Sequence, residues 1–187
     1  MKIVSFIGSS RNGGNTEQLT DIVLQNIEHK KIYIKDLHIK PIEDLRHSEG
    51  GFQAINDDYD HVIEELQNSD IVVFATPIYW YSMSGTMKNM FDRFSQSIRD
   101  QRFPNLKERL KQLTIIVVIV GGDNPRIKGL PLIQQFQYTF EFLDMSLWSY
   151  IIGEANKPGE IIKDKLALSQ ATLLNENIKS LLVKEAE

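Results

Sequence analysis

Three runs of β-branched and aromatic residues constrain the fold before any motif is considered. Ile3–Ile7, Ile71–Ala75 and Ile115–Val120 are apolar at nearly every position. A strand with one wet face alternates polar and apolar residues, so continuous runs belong to strands covered on both faces. Lys31–Ile34 and Leu147–Ile152 read as two further strands. Between them lie stripes at helical spacing: Leu19, Ile22, Val23 and Ile27; then Tyr59, Val62, Ile63 and Leu66, entered through Asp57-Asp58; then Met87, Met90, Phe91 and Phe94, after Ser84-Gly85. Residues 130–144 and 160–183 complete the set. Strand and helix alternate throughout, which predicts an α/β fold with a parallel sheet and helices on both faces, as one domain over residues 1–187. Such sheets bind ligands beyond the carboxyl ends of their strands, where strand order reverses.

The loop leaving the first strand is Gly8-Ser9-Ser10-Arg11-Asn12-Gly13-Gly14-Asn15-Thr16, and it opens a helix. Unpaired N–H groups and the positive end of the helix dipole make this an anion site. Ser9, Arg11 and Thr16 add donors. A triphosphate-binding P-loop needs Lys and then Ser/Thr after its second glycine, whereas Gly13 is followed by Gly14-Asn15. The Gly-x-Gly-x-x-Gly spacing of a dinucleotide fold is also missing. One compact phosphate, such as that of a mononucleotide, is the reading left.

Two further loops leave the same end of the sheet. Thr76-Pro77-Ile78-Tyr79-Trp80-Tyr81-Ser82 places three adjacent aromatics between strand and helix. They form either a plug or subunit contact, or the wall beside a flat aromatic ligand. Gly121-Gly122-Asp123-Asn124-Pro125 ends the fourth strand, as a tight turn or as backbone approaching the ligand's far edge. Together the three loops describe a pocket for a phosphorylated planar heterocycle.

Composition removes other classes. Lys plus Arg number 21 and Asp plus Glu 25, a net charge of −4 without a basic block, which disfavours nucleic acid. With no cysteine there is no disulfide, thiolate metal site, cysteine nucleophile or cysteine-ligated cluster. This agrees with a cytoplasmic location. No leader pattern is seen at the start, and the apolar runs fall short of the ~20 residues of a membrane helix.

With these motifs in place, the chain resembles the flavodoxin-like superfamily, close to the NADPH-dependent FMN reductases and the iron–sulfur flavoproteins. The resemblance rests on Gly8–Thr16, on Thr76-Pro77-Ile78-Tyr79-Trp80 about 60 residues later, and on Ser84-Gly85-Thr86-Met87-Lys88 running to Asp92-Arg93. It implies a three-layer α/β/α sandwich with a five-stranded parallel sheet in the order 2-1-3-4-5 and non-covalent FMN. It further implies that Ser9, Arg11, Asn15 and Thr16 hold the FMN phosphate and that Pro77, Ile78, Tyr79, Trp80 and Tyr81 line the isoalloxazine. Gly121, Gly122 and Asp123 would flank the pyrimidine edge or the ribityl side. The implied electron donor is NAD(P)H, with the NADPH preference inherited from the resemblance alone. The implied assembly is a homodimer or homotetramer, contacts falling on the third helix and on residues 37–56.

The expected function is an FMN-dependent NAD(P)H oxidoreductase that passes hydride via FMN to a quinone, a nitro- or azo-aromatic or free flavin, with ping-pong kinetics. The alternatives are an electron carrier or regulatory flavoprotein without NAD(P)H turnover, and a pocket for another phosphorylated ligand. No catalytic side chain is assigned, since no Ser-His-Asp or paired-carboxylate pattern is present. The iron–sulfur branch carries a cysteine cluster where this chain reads His47-Ser48-Glu49-Gly50-Gly51-Phe52. Residues 37–56 carry no clear element and read as a surface excursion, a lid or a subunit contact. His38 and His47 read as solvated, not as metal ligands. Asp92-Arg93 reads as a helix-surface salt bridge or dimer contact. Lys107–Lys111 reads as a solvated helix face, and Trp148 and Tyr150 as core or interface.

Overall fold

The computed structural model describes residues 1–184. Five parallel strands, β1 (Ile3–Ile7), β2 (Lys30–Tyr33), β3 (Ile71–Pro77), β4 (Thr114–Gly121) and β5 (Ser146–Glu154), form one sheet in the order 2-1-3-4-5. The helices are α1 (Asn15–Val23), α2 (Tyr59–Asn68), α3 (Gly85–Asp92), α4 (Phe94–Ser97), α5 (Leu106–Leu110), α6 (Pro125–Lys128), α7 (Leu130–Phe142) and α8 (Lys165–Lys184). The expected architecture and strand order are both observed. The strands run further than the apolar stretches suggest: β3 continues to Pro77, β4 to Gly121 and β5 to Glu154. Strand β2 is instead displaced one residue toward the N-terminus.

Side-chain alternation divides the core cleanly. Val4, Phe6, Val72, Phe74, Ile115, Val117 and Ile119 face a layer built from α2, α3, α5 and α7. Ile3, Ile7, Ile71, Val73, Ala75, Ile116, Val118 and Val120 face α1 and α8. Continuous apolar runs were therefore required, because each strand feeds two cores. On the first face, Phe91 of α3 meets Phe74 at 5.0 Å between ring centroids and Phe136 of α7 at 5.3 Å, both edge-to-face. This cluster seats α3 and α7 on β3 and so fixes the loop from which α3 departs.

Residues 37–56 contain neither helix nor strand, as their lack of periodicity suggested. They are held by polar side chains instead. Arg93 donates through Nη1 to Asp57 Oδ2 at 2.6 Å and to the Lys40 carbonyl at 3.0 Å. Its Nε donates to Gln96 Oε1 at 2.8 Å, and its guanidinium lies 4.5 Å from the Tyr59 ring centroid. Asn89 donates to the Ile39 carbonyl and Gln96 to that of Gln53. The expected helix-surface role of Arg93 is thus corrected: its side chain is 1% exposed and that of Asp57 0%. Asp92, exposed, pairs with Lys88 one turn earlier.

Two other expectations change. Arg109, in the supposedly solvated Lys107–Lys111 run, reaches the carbonyls of Gln67 and Ser69 and the carboxylate of Asp70. Of the two readings of Trp148 and Tyr150, the core is excluded, since both stand exposed on β5, an edge strand. His38 and His47 are exposed. Among the described residues, no helix is long and apolar enough to cross a membrane.

Candidate functional site

Four loops leave the carboxyl ends of β1, β3, β4 and β5, and the sheet's hydrogen bonding continues into those after β1, β3 and β5. Gly8 N–H donates to Ala75 O, Ile78 N–H to Val120 O and Ala155 N–H to Gly121 O, each at 2.8 Å. Cross-links then join the first two loops. The Ser84 N–H donates to Thr76 Oγ1 at 3.0 Å, and Ser84 Oγ caps α3 by accepting from Met87 N–H. Thr86 Oγ1 donates to the Gly8 carbonyl at 3.3 Å. The start of α3 is therefore fastened to the glycine loop, so the two motifs keep a fixed spacing.

These loops enclose two adjoining cavities. The inner one, about 190 Å³, is lined by Ser9, Arg11, Asn15, Thr16, Pro77, Ile78, Tyr79, Gly121 and Gly122 of the expected residues. The outer one, about 160 Å³, is lined by Ile78, Trp80, Tyr81, Gly121, Gly122 and Asp123 of that set. Ile78, Gly121 and Gly122 face both. All the expected site residues thus line one or the other of two adjoining cavities.

The inner cavity is a donor-rich seat. Helix α1 begins at Asn15 with no side-chain cap on Gly14, so first-turn N–H groups are left without intrahelical partners at the cavity wall. Ser9 and Thr16 are buried there, while Arg11 is exposed at its rim with no ion pair among the described residues. Asn15 is differently employed than expected. Its side-chain amide donates to the Lys157 carbonyl at 2.9 Å and accepts from Ile161 N–H at 3.3 Å, tying α1 to the loop after β5. Among the described residues its backbone N–H stays free for the cavity.

The outer cavity has a shaped aromatic wall. Tyr79 and Ser82 pair as a two-residue hairpin, with Tyr79 N–H to Ser82 O at 2.9 Å and Ser82 N–H to Tyr79 O at 3.0 Å. Trp80 and Tyr81 occupy its corner at φ of 48° and 64°, a left-handed conformation that bulky residues seldom adopt. Two strained aromatics of this kind are retained where the surroundings enforce them, typically in ligand clamps. Trp80 is 94% exposed. Tyr81 Oη donates to Asp123 Oδ2 at 2.8 Å, and Lys128 Nζ lies 2.7 Å from the same carboxylate. Lys128, and then Tyr81, hold the Asp123 carboxyl below its usual range.

Several lining residues were missed: Gly14, Ala155, Asn156 and Pro158 of the inner cavity, and Pro125, Lys128 and Gly129 of the outer. The segment after β5 carried one weak signal, the turn-forming Asn156-Lys157-Pro158-Gly159. Residues 37–56 line neither cavity.

Comparison with known proteins gives this geometry its context. Residues 1–146 match the family model of NADPH-dependent FMN reductase. A Bacillus subtilis relative named as an NAD(P)H-dependent FMN-containing oxidoreductase is 50% identical over 93% of this chain and 96% of its own. The chain belongs to the NADPH-dependent FMN reductase family. An iron–sulfur flavoprotein of Archaeoglobus fulgidus is 28% identical over 89% of this chain and 76% of its own. The solved structure of the Trp repressor binding protein from Bacillus subtilis superposes with a TM-score of 0.78 at 43% identity. The match covers 92% of this chain and 96% of that one. This family member contains no cysteine, so it holds no cysteine-ligated cluster.

Proposed function

We propose that the chain is an FMN-dependent NAD(P)H oxidoreductase in which the inner cavity seats the FMN phosphate and ribityl chain. The outer cavity then presents the flavin ring to nicotinamide and acceptor in turn. The observation that carries this reading is the junction of the two cavities through Ile78, Gly121 and Gly122. A donor-rich anion seat adjoins an aromatic-walled slot, which matches a ligand that is anionic at one end and planar at the other. The uncapped first turn of α1 supports the fit, since its N–H groups require an acceptor.

In this reading Ser9, Thr16, Arg11 and the backbone of Asn15 bind the phosphate. Pro77, Ile78 and Tyr79, with the backbone of Gly121 and Gly122, would hold the ring. Trp80, Tyr81 and Asp123 border the face on which donor and acceptor bind. FMN held there would supply the redox chemistry, hydride acceptance from a nicotinamide and electron donation to an acceptor. The protein orients the two planar partners and excludes water between them. The exposed Trp80 favours a flat acceptor, such as a quinone, a nitro- or azo-aromatic, or free flavin. One face shared by donor and acceptor requires ping-pong kinetics.

Anaerobic mixing of the FMN-loaded protein with NADPH, and separately with NADH, tests the reading. Rapid bleaching of the flavin absorbance is expected; no bleaching within minutes by either nucleotide would leave the electron-carrier alternative. A protein that takes up no FMN in a titration would remove both. Initial rates with varied NADPH and quinone should give parallel double-reciprocal lines, and intersecting lines would refute the shared face. Arg11→Ala should weaken FMN binding by about tenfold, as expected for loss of a charge-assisted contact.

A further inference from the structure

A carboxylate sits directly beneath the proposed phosphate seat. Glu17 lies in the first turn of α1, where its charge competes with a bound anion for the same helix dipole. It is buried and lines neither cavity. Its oxygens are consumed internally. Oε2 accepts the Gly13 N–H at 2.7 Å, while Oε1 accepts the Tyr33 hydroxyl at 2.5 Å and Lys31 Nζ at 3.2 Å. Lys31 is shared with Asp21 at 2.5 Å. The next residue, Gln18, holds the following peptide unit: its Nε2 donates to the Gly13 carbonyl at 2.7 Å. Gly13 is thus held on both sides by α1, in a left-handed conformation at φ 62°.

We propose that Glu17, braced by Tyr33 and Lys31, is the positioning residue that holds the glycine loop in its phosphate-accepting shape before any ligand arrives. The inference rests on the FMN reading above for its ligand, but concerns the shape of the loop itself. Four consecutive residues, Asn12 to Asn15, must bend tightly so that the first-turn N–H groups converge. Two glycines among them make this stretch conformationally free in isolation. Without a clamp, phosphate binding would have to order the loop and would lose affinity by that ordering cost. A carboxylate suits the clamp because a charge-assisted bond to a backbone N–H is about twice as strong as a neutral one. Lys31 and the Tyr33 hydroxyl, both bonded to Oε1, offset part of its charge. Burial opposes ionisation of Glu17, but the bonds from Tyr33, Gly13 and Lys31 outweigh it and hold the carboxyl below its ordinary value. The clamp therefore stays charged at neutral pH.

Two measurements test the clamp. In the ligand-free protein, amide exchange followed by NMR should show the Gly13 N–H protected, and Glu17→Gln should accelerate its exchange by about tenfold or more while the C-terminal half of α1 stays protected. Wild-type Gly13 exchanging as fast as exposed amides would overturn the proposal without touching the FMN reading. In the second, FMN and riboflavin dissociation constants are compared by flavin fluorescence. Glu17→Gln should raise the FMN constant by about tenfold and leave riboflavin, which lacks the phosphate, within twofold. Equal losses for both flavins would reduce Glu17 to a general stabilising role, and tighter FMN binding would show its charge to be merely repulsive. Either result overturns the clamp. Tyr33→Phe, which removes one brace and keeps the charge, should give the same selectivity at about threefold and serves if Glu17→Gln does not fold. A wild-type protein that binds neither flavin would remove the FMN reading, leaving the exchange measurement to judge the clamp.

Discussion

Replacing Arg93 by Met removes the cation that pins the 37–56 excursion and leaves Asp57 buried without it. The pair is fully enclosed, the guanidinium side chain 1% and the carboxylate 0% exposed. Breaking such a pair from one side costs about 3–5 kcal/mol, because the surviving charge is uncompensated. Asp57 has an escape, which bounds the charge contribution. From an ordinary carboxyl value near 4, protonation at pH 7 costs about 1.4 kcal/mol per pH unit over roughly three units, or about 4 kcal/mol. Asp57 also keeps the N–H groups of Lys40 at 3.0 Å and Tyr59 at 3.1 Å, which lowers the cost of remaining ionised. Against that, the Gln96 and Lys40 acceptors and the Tyr59 ring face lose their partner. The expected loss at pH 7 is therefore about 4 kcal/mol. The pH dependence separates this account from simple loss of packing. In the wild type, burial opposes ionisation of Asp57, but Arg93 and the two N–H groups outweigh it and hold the carboxyl below its usual value. That contribution is fully present above the unfolded value near 4, so it is flat from pH 5 to 7 and is lost only as pH falls through the folded value. In Arg93→Met the folded value is raised instead. Stability then falls as pH rises above about 4, by up to about 1.4 kcal/mol per unit. Urea denaturation of both proteins at pH 5, 6 and 7 should show the difference growing with pH. A difference below about 1 kcal/mol, or one constant across that range, would refute the uncompensated-charge argument.

Other consequences are local. Gly129 separates α6 from α7, and a Cβ there would lie 2.5 Å from the Pro125 carbonyl oxygen and 2.9 Å from Ile78 Cδ1. Gly129→Ala should cost about 1–3 kcal/mol by urea denaturation, and a change under about 0.5 kcal/mol would show that the two helices separate freely. Trp80→Ala should raise KM for planar acceptors by about three- to tenfold with thermal stability unchanged, since the ring is 94% exposed. A fall in Tm with no change in KM would move Trp80 from ligand contact to structural support. Tyr81→Phe removes the hydroxyl that donates to Asp123 and should speed FMN release by about threefold in stopped-flow competition with excess riboflavin. Unchanged release would mean the aromatic hairpin keeps its place without that bond.

What was legible in the sequence follows from what each signal measures. Strands β1, β3 and β4 were readable because each contributes to two cores, leaving Ser5 as the one polar residue within the three runs. The ends of β5 were not, because Ser146 and Glu154 are exposed edge positions whose pairing is carried by the backbone alone. That shortfall also hid Ala155, Asn156 and Pro158, whose place in the inner cavity depends on how far β5 extends. Charges were harder still. Asp92 and Arg93 adjoin in sequence and suggest each other as partners, yet Arg93 turns inward to Asp57, 36 positions away. Glu17 resembles any acidic residue in a helix's first turn until β2 places Tyr33 and Lys31 against it. Conversely, Arg11, Ser9 and Thr16 could be assigned to a seat because a glycine loop entering a helix is a local device, complete within nine residues. A site built from backbone N–H groups and nearby side chains is therefore readable from one stretch of chain. The residues that hold it in shape come from other strands, and their roles appear only when the sheet sets them side by side.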